Sequence, residues 1–256
     1  MSNPLSGRSA LVTGASKGIG RALAVRLGRD GAVVVAHYNS DAEGAKETVR
    51  EIERNGGRAF AVHTDLAAGD SPESLLAGLD AELGGPTGRA ELDIVVHNAG
   101  IGESSDLENL TLTEYERLFA VNVRAPLFLT QRLLPRLRDG GRIVNVSSGV
   151  ARIAMPAILP YAMTKGALEV FTFQLAQQLG PRNITVNAVA PGVVVNDRTH
   201  AQMRANPGLA DYAVELSALK RLGEPEDIAG VVAFLCSDDG RWVTGQVLDA
   251  TGGAQL

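Results

Sequence analysis

The chain has 256 residues, 45% hydrophobic and 21% charged, with 24 Lys and Arg against 29 Asp and Glu for a net charge of −5. That length fits one α/β domain with a full core, and no run of about 18 apolar residues is present to span a membrane. The acidic balance and the lack of a basic cluster argue against a nucleic-acid surface, so any phosphate must be bound locally. A single cysteine, Cys236, makes an internal disulfide impossible, and its setting in GVVAFLCSDD reads as a small apolar residue on a helix face. The first residues, MSNPLSGRSALVTGAS, lack the charged start, apolar stretch and cleavage site of a signal peptide. The expectation is a soluble, cytoplasmic protein.

The first β-branched run, SALVT, leads into TGASKGIG at 13–20 and then into helical sequence. Gly14, Gly18 and Gly20 let the backbone turn sharply, approach a pyrophosphate closely and present amides from a helix N-terminus. The spacing is TGxxxGxG rather than GxGxxG, and it fails as a Walker A loop because Lys17 precedes its glycine with no Ser or Thr after it. A glycine turn that only packs strand on helix is the alternative. The second run, AVVVAH, ends in His37-Tyr38-Asn39-Ser40, with no acid until Asp41. An acid at that strand end would bond the ribose 2′-hydroxyl of NAD and repel a 2′-phosphate. Its absence, the charge of Lys17 and the donors of Asn39 and Ser40 favour NADP(H), although Lys17 also reads as an ordinary solvated lysine.

The runs AFAVH, LDIVVHN, GRIVNVSS and NITVNAVA follow, each succeeded by helical periodicity. Continuous apolar strands separated by helices imply a parallel sheet covered on both faces. The expected architecture is a single doubly wound α/β domain over 1–256, the Rossmann fold. GGPTG at 84–88 reads as a surface connection. Over 193–222 the rhythm lapses into a polar, partly helical excursion after the sixth strand, and ligands bind at the carboxyl ends of parallel strands; this segment is expected to be a substrate lid. His37, His63, His97 and His200 show no metal-ligand spacing, and no metal is expected.

Tyr161 and Lys165 stand four apart in YAMTK, thirteen residues beyond Ser148. On a helix they share a face, and an ammonium beside a phenol favours the phenolate, which makes the phenol a proton donor for a carbonyl oxygen. A serine hydroxyl can hold that same oxygen. YxxxK alone arises by chance on many helices; the glycine loop and the strand rhythm raise the functional reading. A helix expected over 114–138 contains Pro126, which has no amide for the carbonyl of Asn122. A main-chain oxygen freed in this way can hold a water, and a simple kink is compatible with it.

Together these residues resemble the short-chain dehydrogenase/reductase family over 10–253: TGASKGIG at 13–20, Asp65 after the third strand, NAG at 98–100, Asn122, Ser148, YxxxK at 161–165 and PG at 191–192. The likeness is strongest to the 3-oxoacyl-carrier-protein reductase-like members, which reduce ketones with NADPH. The resemblance implies a catalytic tetrad of Asn122, Ser148, Tyr161 and Lys165, with a water linking Lys165 to solvent. It implies a cofactor site made by Gly14, Ser16, Lys17, Gly18, Ile19, Gly20, Asn39, Ser40, Asp65 (toward the adenine amino group), Leu66, Asn98 (along the adenosine ribose), Ala99, Gly100, Tyr161, Lys165 (also on the nicotinamide ribose), Pro191, Gly192, Val194 and Asn196. Three positions depart from the family pattern. His97 replaces the first Asn of NNAG; Asn196 stands where relatives carry a threonine toward the nicotinamide carboxamide; and of two basic positions that dock acidic carriers, Arg182 fills one while Asp139 occupies the other.

The implied activity is NADPH-dependent reduction of a small-molecule carbonyl to an alcohol, or of an imine or hemiaminal on the same site. A non-catalytic NADP(H)-binding protein is the rival, which loss of the tyrosine or lysine would favour. Ile101, Val150, Ile153, Met155, Ile158, Leu159, Val193 and Met203 flank the motifs and suggest an apolar pocket, as core packing equally would. The resemblance also implies a homo-oligomer, dimer or tetramer, paired through the helices at 114–138 and 161–179, where Leu127, Leu129, Phe171 and Phe173 exceed what one buried face needs.

Overall fold

The computed structural model describes residues 3–84, 88–102, 106–205 and 208–255; positions 85–87 of the GGPTG connection lie outside them. Seven strands, β1 (Ser9–Val12), β2 (Val33–Tyr38), β3 (Arg58–His63), β4 (Leu92–His97), β5 (Leu137–Val146), β6 (Thr185–Pro191) and β7 (Val247–Ala250), form one parallel sheet in the order 3-2-1-4-5-6-7. The order reverses between β1 and β4. The loops leaving those two strands diverge there and open a crevice at their carboxyl ends, the usual ligand position in such sheets.

Alternate strand residues point to opposite faces, and each face has its own core. On one, Val12, Val34, Ile94 and Val144 meet Leu23 and Leu27 of α1 (Gly18–Arg29), Ile52 of α2 (Ala42–Arg54) and Ile228 and Val232 of α9 (Pro225–Cys236). On the other, Leu11, Val35, Val95, Ile143 and Val186 meet Leu75 and Leu79 of α3 (Ser71–Leu83), Leu129 and Leu133 of α5 (Ala125–Leu133) and Leu175 and Leu179 of α6 (Leu159–Leu179). The doubly wound reading of the strand runs is correct. Cys236 is fully buried in the first core, and that burial pushes its thiol up to about 12, so it is a packing residue.

Three features differ from expectation. The sheet has a seventh strand, VLDA, only four residues long and carrying Asp249, too short and too polar to read as an apolar run. The helix expected over 114–138 is instead α4 (Leu112–Phe119), a π-helical segment at Ala120–Arg124 and α5, after which the chain turns into β5, so Arg138 lies on a strand. The π step follows from Pro126: Ala125 donates to the Ala120 carbonyl, one residue beyond the α spacing, and Pro126 has no N–H for Asn122. Finally, Leu129 is core and Phe171 packs against it, whereas Leu127 and Phe173 stay about half exposed beside Phe128 and Val170.

The segment 193–222 contains α7 (Asp197–Ala205) and α8 (Gly208–Leu216) and leaves and returns through one neck. There Val195 donates to the Gly223 carbonyl (2.8 Å) and Gly223 to that of Val193 (2.9 Å), a two-residue parallel bridge at Val194 and Gly223.

Candidate active site

The glycine loop is held by contacts that leave no room for side chains. A Cβ on Gly20 would lie 2.0 Å from the Gly14 carbonyl oxygen, and one on Gly14, at φ +66°, would lie 2.9 Å from Ala99 Cα. The loop is stitched to the loop after β4: the Thr13 hydroxyl accepts from the amides of Asn98 and Ala99, both at 3.0 Å, while Asn98 Nδ2 donates to the carbonyls of Thr13 (2.9 Å) and Gly14 (3.0 Å). The Asn98 side chain expected along a ribose is thus committed to the loop itself. On the other side His37, buried in β2, accepts from Gly14 N–H at Nδ1 (3.1 Å) and donates from Nε2 to the Thr64 carbonyl (2.9 Å). Burial holds this imidazole down at about 4 against the opposing hydrogen bond to Thr64, so it is neutral with its proton on Nε2.

These loops wall a cleft of about 750 Å³, bordered as expected by Gly14, by residues 16–20, by Asn39 and Ser40, by Asp65 and Leu66, by residues 98–100 and by Asn196. Into it opens the N-terminus of α1, which has no capping side chain and no acid in its first turn, leaving its amides for an anion. The size suits a cofactor site, and the close approach of two glycine backbones, the open helix end and the donors fit a dinucleotide. At one end lie the exposed Lys17, Asn39 and Ser40. Asn39 Nδ2 donates to Asp65 Oδ1 (3.3 Å), and Asp41, the one acid of the second loop, accepts from Gly44 N–H (2.9 Å) as the cap of α2.

The sequence reading missed His37, Arg21, Asp41 and Arg117 as wall residues. Arg21 donates to the carbonyls of Ser16 (2.6 Å) and Gly44 (3.1 Å) and to the Thr48 hydroxyl (3.2 Å), tying the glycine loop to α2. Its place four residues beyond Lys17 on α1 was the available signal.

None of Asn122, Ser148, Tyr161 and Lys165 lines this cleft itself; Lys165 and Asn122 lie directly behind its wall residue Gly100. A Cβ there would be 3.5 Å from Lys165 Nζ and 3.4 Å from Asn122 Oδ1. Lys165 is 3% exposed; its ammonium donates to the Val146 carbonyl (2.8 Å) and lies 5.5 Å from the centre of the Tyr161 ring, one turn back on α6. Asn122, fully buried in the π segment, clamps Ile101 through both main-chain groups (2.9 and 2.8 Å) and donates to the Thr164 hydroxyl (3.1 Å), which donates to the Tyr161 carbonyl (2.7 Å). Ser148, half-buried two residues beyond β5, opens a 3-10 turn at Gly149–Ala151 with its Oγ 3.4 Å from the Val150 amide.

Pro191 closes β6, and Gly192 and Val194 border a separate cavity of about 160 Å³ rather than the main cleft. Asn196 meets both the cleft and α7. Its Oδ1 accepts from Thr199 N–H (3.0 Å), its Nδ2 donates to the Val194 carbonyl (3.0 Å), and the Thr199 hydroxyl accepts from its amide (2.8 Å), a reciprocal cap. His97 is buried against the Thr130 hydroxyl (2.8 Å) and is likewise held at about 4 by burial. Arg182 pairs with Asp139 (2.7 Å) and donates to the carbonyls of Leu134 and Leu137, so it is not a free docking cation. Among the described residues no group of three His, Cys, Asp or Glu side chains is placed to hold a metal ion.

A nucleotide cradle at a sheet switch point, bordered by a buried lysine beside a tyrosine, defines a class of dinucleotide-dependent oxidoreductases. The family described as Enoyl-(acyl carrier protein) reductase matches residues 14–255. The angucycline C-6 ketoreductase LanV, solved with bound NADP, superposes with a TM-score of 0.94 at 45% identity over 99% of this chain and 97% of that one. The promiscuous reductase LugOII, which catalyses keto-reduction at C1 during lugdunomycin biosynthesis, gives 0.94 at 46% identity over 99% and 100%. Versicolorin reductase 1 of Aspergillus parasiticus is 38% identical over 260 residues, 98% of this chain and 97% of that protein. The chain belongs to the short-chain dehydrogenase/reductase family.

The two buried imidazoles give the fold a pH dependence. They are neutral when folded down to about 4, whereas the unfolded chain titrates near 6.5. Between these values the unfolded state binds more protons, so stability falls as pH falls through that window. Urea unfolding at pH 7 and pH 5 is expected to show a loss that is smaller by about 2 kcal/mol in His37→Gln than in the parent; equal losses would show that His37 is not held neutral.

Proposed function

We propose that this protein is an NADPH-dependent carbonyl reductase acting on a small cyclic ketone. The observation that carries the reading is the buried Lys165 ammonium beside Tyr161, touching through Gly100 a cleft built as a dinucleotide cradle. The cofactor is NADP(H): Lys17, Asn39 and Ser40 are the exposed donors at the end of that cleft, and Asp41 is spent on capping α2. Bound NADPH supplies the hydride. Tyr161 gives its hydroxyl proton to the carbonyl oxygen as a general acid, and Ser148 donates a hydrogen bond to the same oxygen. Lys165, whose ammonium donates to the neutral Val146 carbonyl, stabilises the phenolate left behind. Asn122 fixes the first turn of α6 through Thr164 and the β4 loop through Ile101. Its own main-chain carbonyl, denied an α-type partner by Pro126, is the place for a water that returns a proton toward Lys165.

LanV is named as a ketoreductase, LugOII for a keto-reduction and versicolorin reductase 1 as a reductase, and the apolar side chains flanking the site suit a ketone substrate. The engagement of Arg182 by Asp139 favours a free small molecule over a carrier-borne one. The segment 193–222, which leaves and returns beside the Val194–Gly223 bridge, serves as the lid over that substrate. No helix among the described residues is long and apolar enough to cross a membrane, and we place the protein in the cytoplasm. The half-exposed Leu127, Phe128, Val170 and Phe173 on α5 and α6 are the face through which it pairs with a second copy.

Three measurements check these statements. Tyr161→Phe is expected to bind NADPH as the parent does and to lose on the order of 10² or more in turnover; retention of most activity on a ketone panel followed by NADPH absorbance would sink the assignment. NADPH should bind more tightly than NADH, and Lys17→Ala and Asn39→Asp should each narrow or reverse that preference; equal dissociation constants in the parent would mean that the missing acid has no consequence. Light scattering at micromolar concentration should return a multiple of the chain mass, and a monomer would refute the pairing face.

A further inference from the structure

The loops that carry the substrate side of the site rest on one support that the chemistry above does not use, the segment 249–255 at the end of β7. From the Ser148 loop, Arg152 ends the 3-10 turn that Ser148 begins. Its guanidinium donates to Asp249 (2.6 Å) and to the carbonyls of Ala254 (2.7 Å) and Gln255 (3.1 Å). Gly149 of the same turn is pressed on Thr251, where a Cβ would lie 2.8 Å from Cγ2. From the β6 loop, a Cβ on Gly192 would lie 2.9 Å from Thr251 Cα. From the far end of the lid, the Ser217 hydroxyl and the Leu219 amide both donate to the Gly252 carbonyl (3.0 and 3.1 Å), and Ala218 donates to that of Gly253 (3.3 Å). Gln255 returns a bond to the Leu216 carbonyl (3.3 Å).

The segment can do this because of its backbone. Gly252 and Gly253 sit at φ +70° and +74° and Gln255 at +51°, a succession of left-handed residues that curls the chain and turns its carbonyls toward both neighbours. Asp249 and Thr251 lock the curl from inside: the Thr251 amide donates to Asp249 and the Ala254 amide to the Thr251 hydroxyl, both at 2.9 Å.

We infer that segment 249–255 is a common seat for the Ser148 turn and the returning end of the lid, and that Arg152 is a positioning residue for carbonyl reduction. Moving the seat displaces the hydrogen-bond donor at the carbonyl oxygen and the lid end together. It leaves the cofactor loops untouched, because they are stitched through Thr13, Asn98, His37 and Arg21 on the other half of the sheet. The inference rests on the role given above to Ser148, and its test separates the two.

Amide hydrogen exchange and steady-state kinetics on the full chain, with 2-tetralone and NADPH as probes, decide it. Arg152→Ala is expected to speed exchange at least tenfold both at 151–153 and at 218–219, to lower kcat/KM for the ketone by about tenfold or more, and to leave the NADPH dissociation constant within about twofold. Arg152→Lys, which keeps the charge opposite Asp249 but not the planar fork, should fall between. Faster exchange confined to 151–153 would overturn the common seat, and unchanged kcat and KM despite faster exchange at both segments would overturn the positioning role. Ser148→Ala is the separate arm: normal turnover there refutes the reading of Ser148, while the exchange pattern of Arg152→Ala still decides the seat.

Discussion

The rest of the site depends on a positive charge that has been taken out of water. Lys165 is almost completely buried, and its ammonium has a main-chain carbonyl as acceptor and an aromatic ring as neighbour. A buried cation is costly unless something compensates it, and here the carbonyl and the ring are both neutral. The Tyr161 ring lies one turn back on the same helix, its centre 5.5 Å from the ammonium. Under the proposed mechanism that cost is relieved as Tyr161 gives up its proton, because the negative charge then left on its oxygen faces the ammonium. The neighbours are close packed on the ammonium: Gly100 lies against Nζ and the Asn122 side chain, and Asn122 bonds both Ile101 of the β4 loop and Thr164 of α6.

What the amino-acid sequence reveals of this arrangement depends on whether a contact is local. The glycine loop and the Tyr161–Lys165 pair are contiguous, and their chemistry follows from spacing alone. The strand runs are legible because parallel strands buried on both faces are continuously apolar; β7 is not, since VLDA lies at the sheet edge, is nowhere fully buried and carries the exposed Asp249. His37 is hidden for another reason. Its role exists only because β1, β2 and β3 lie side by side, which brings Gly14 to one ring nitrogen and Thr64 to the other. A linear pattern carries no trace of that pairing. Leu129 and Phe171 show the converse error: an excess of apolar residues on two helices is visible in sequence, but which of them face the sheet is settled by the helix phase, and for Leu129 the π step at Ala120–Arg124 shifts that phase.

The two halves of the site are built by different means. On the cofactor side, side chains of Thr13, Asn98, His37 and Arg21 bond to loop backbone, so the cradle is fixed by groups that are themselves packed. On the side proposed to take substrate, the loops after β5 and β6 and the end of segment 193–222 lean on a glycine-rich curl through main-chain carbonyls and a surface arginine. Main-chain bonds to a curl accept many side chains above them, so residues of the substrate wall can change without disturbing the support. LanV and versicolorin reductase 1, aligned over nearly the whole chain at 45% and 38% identity, carry names that point to different ketones. On the proposed reading that divergence follows from the division of the site, in which a packed cofactor half stays fixed and the side chains over the curl vary.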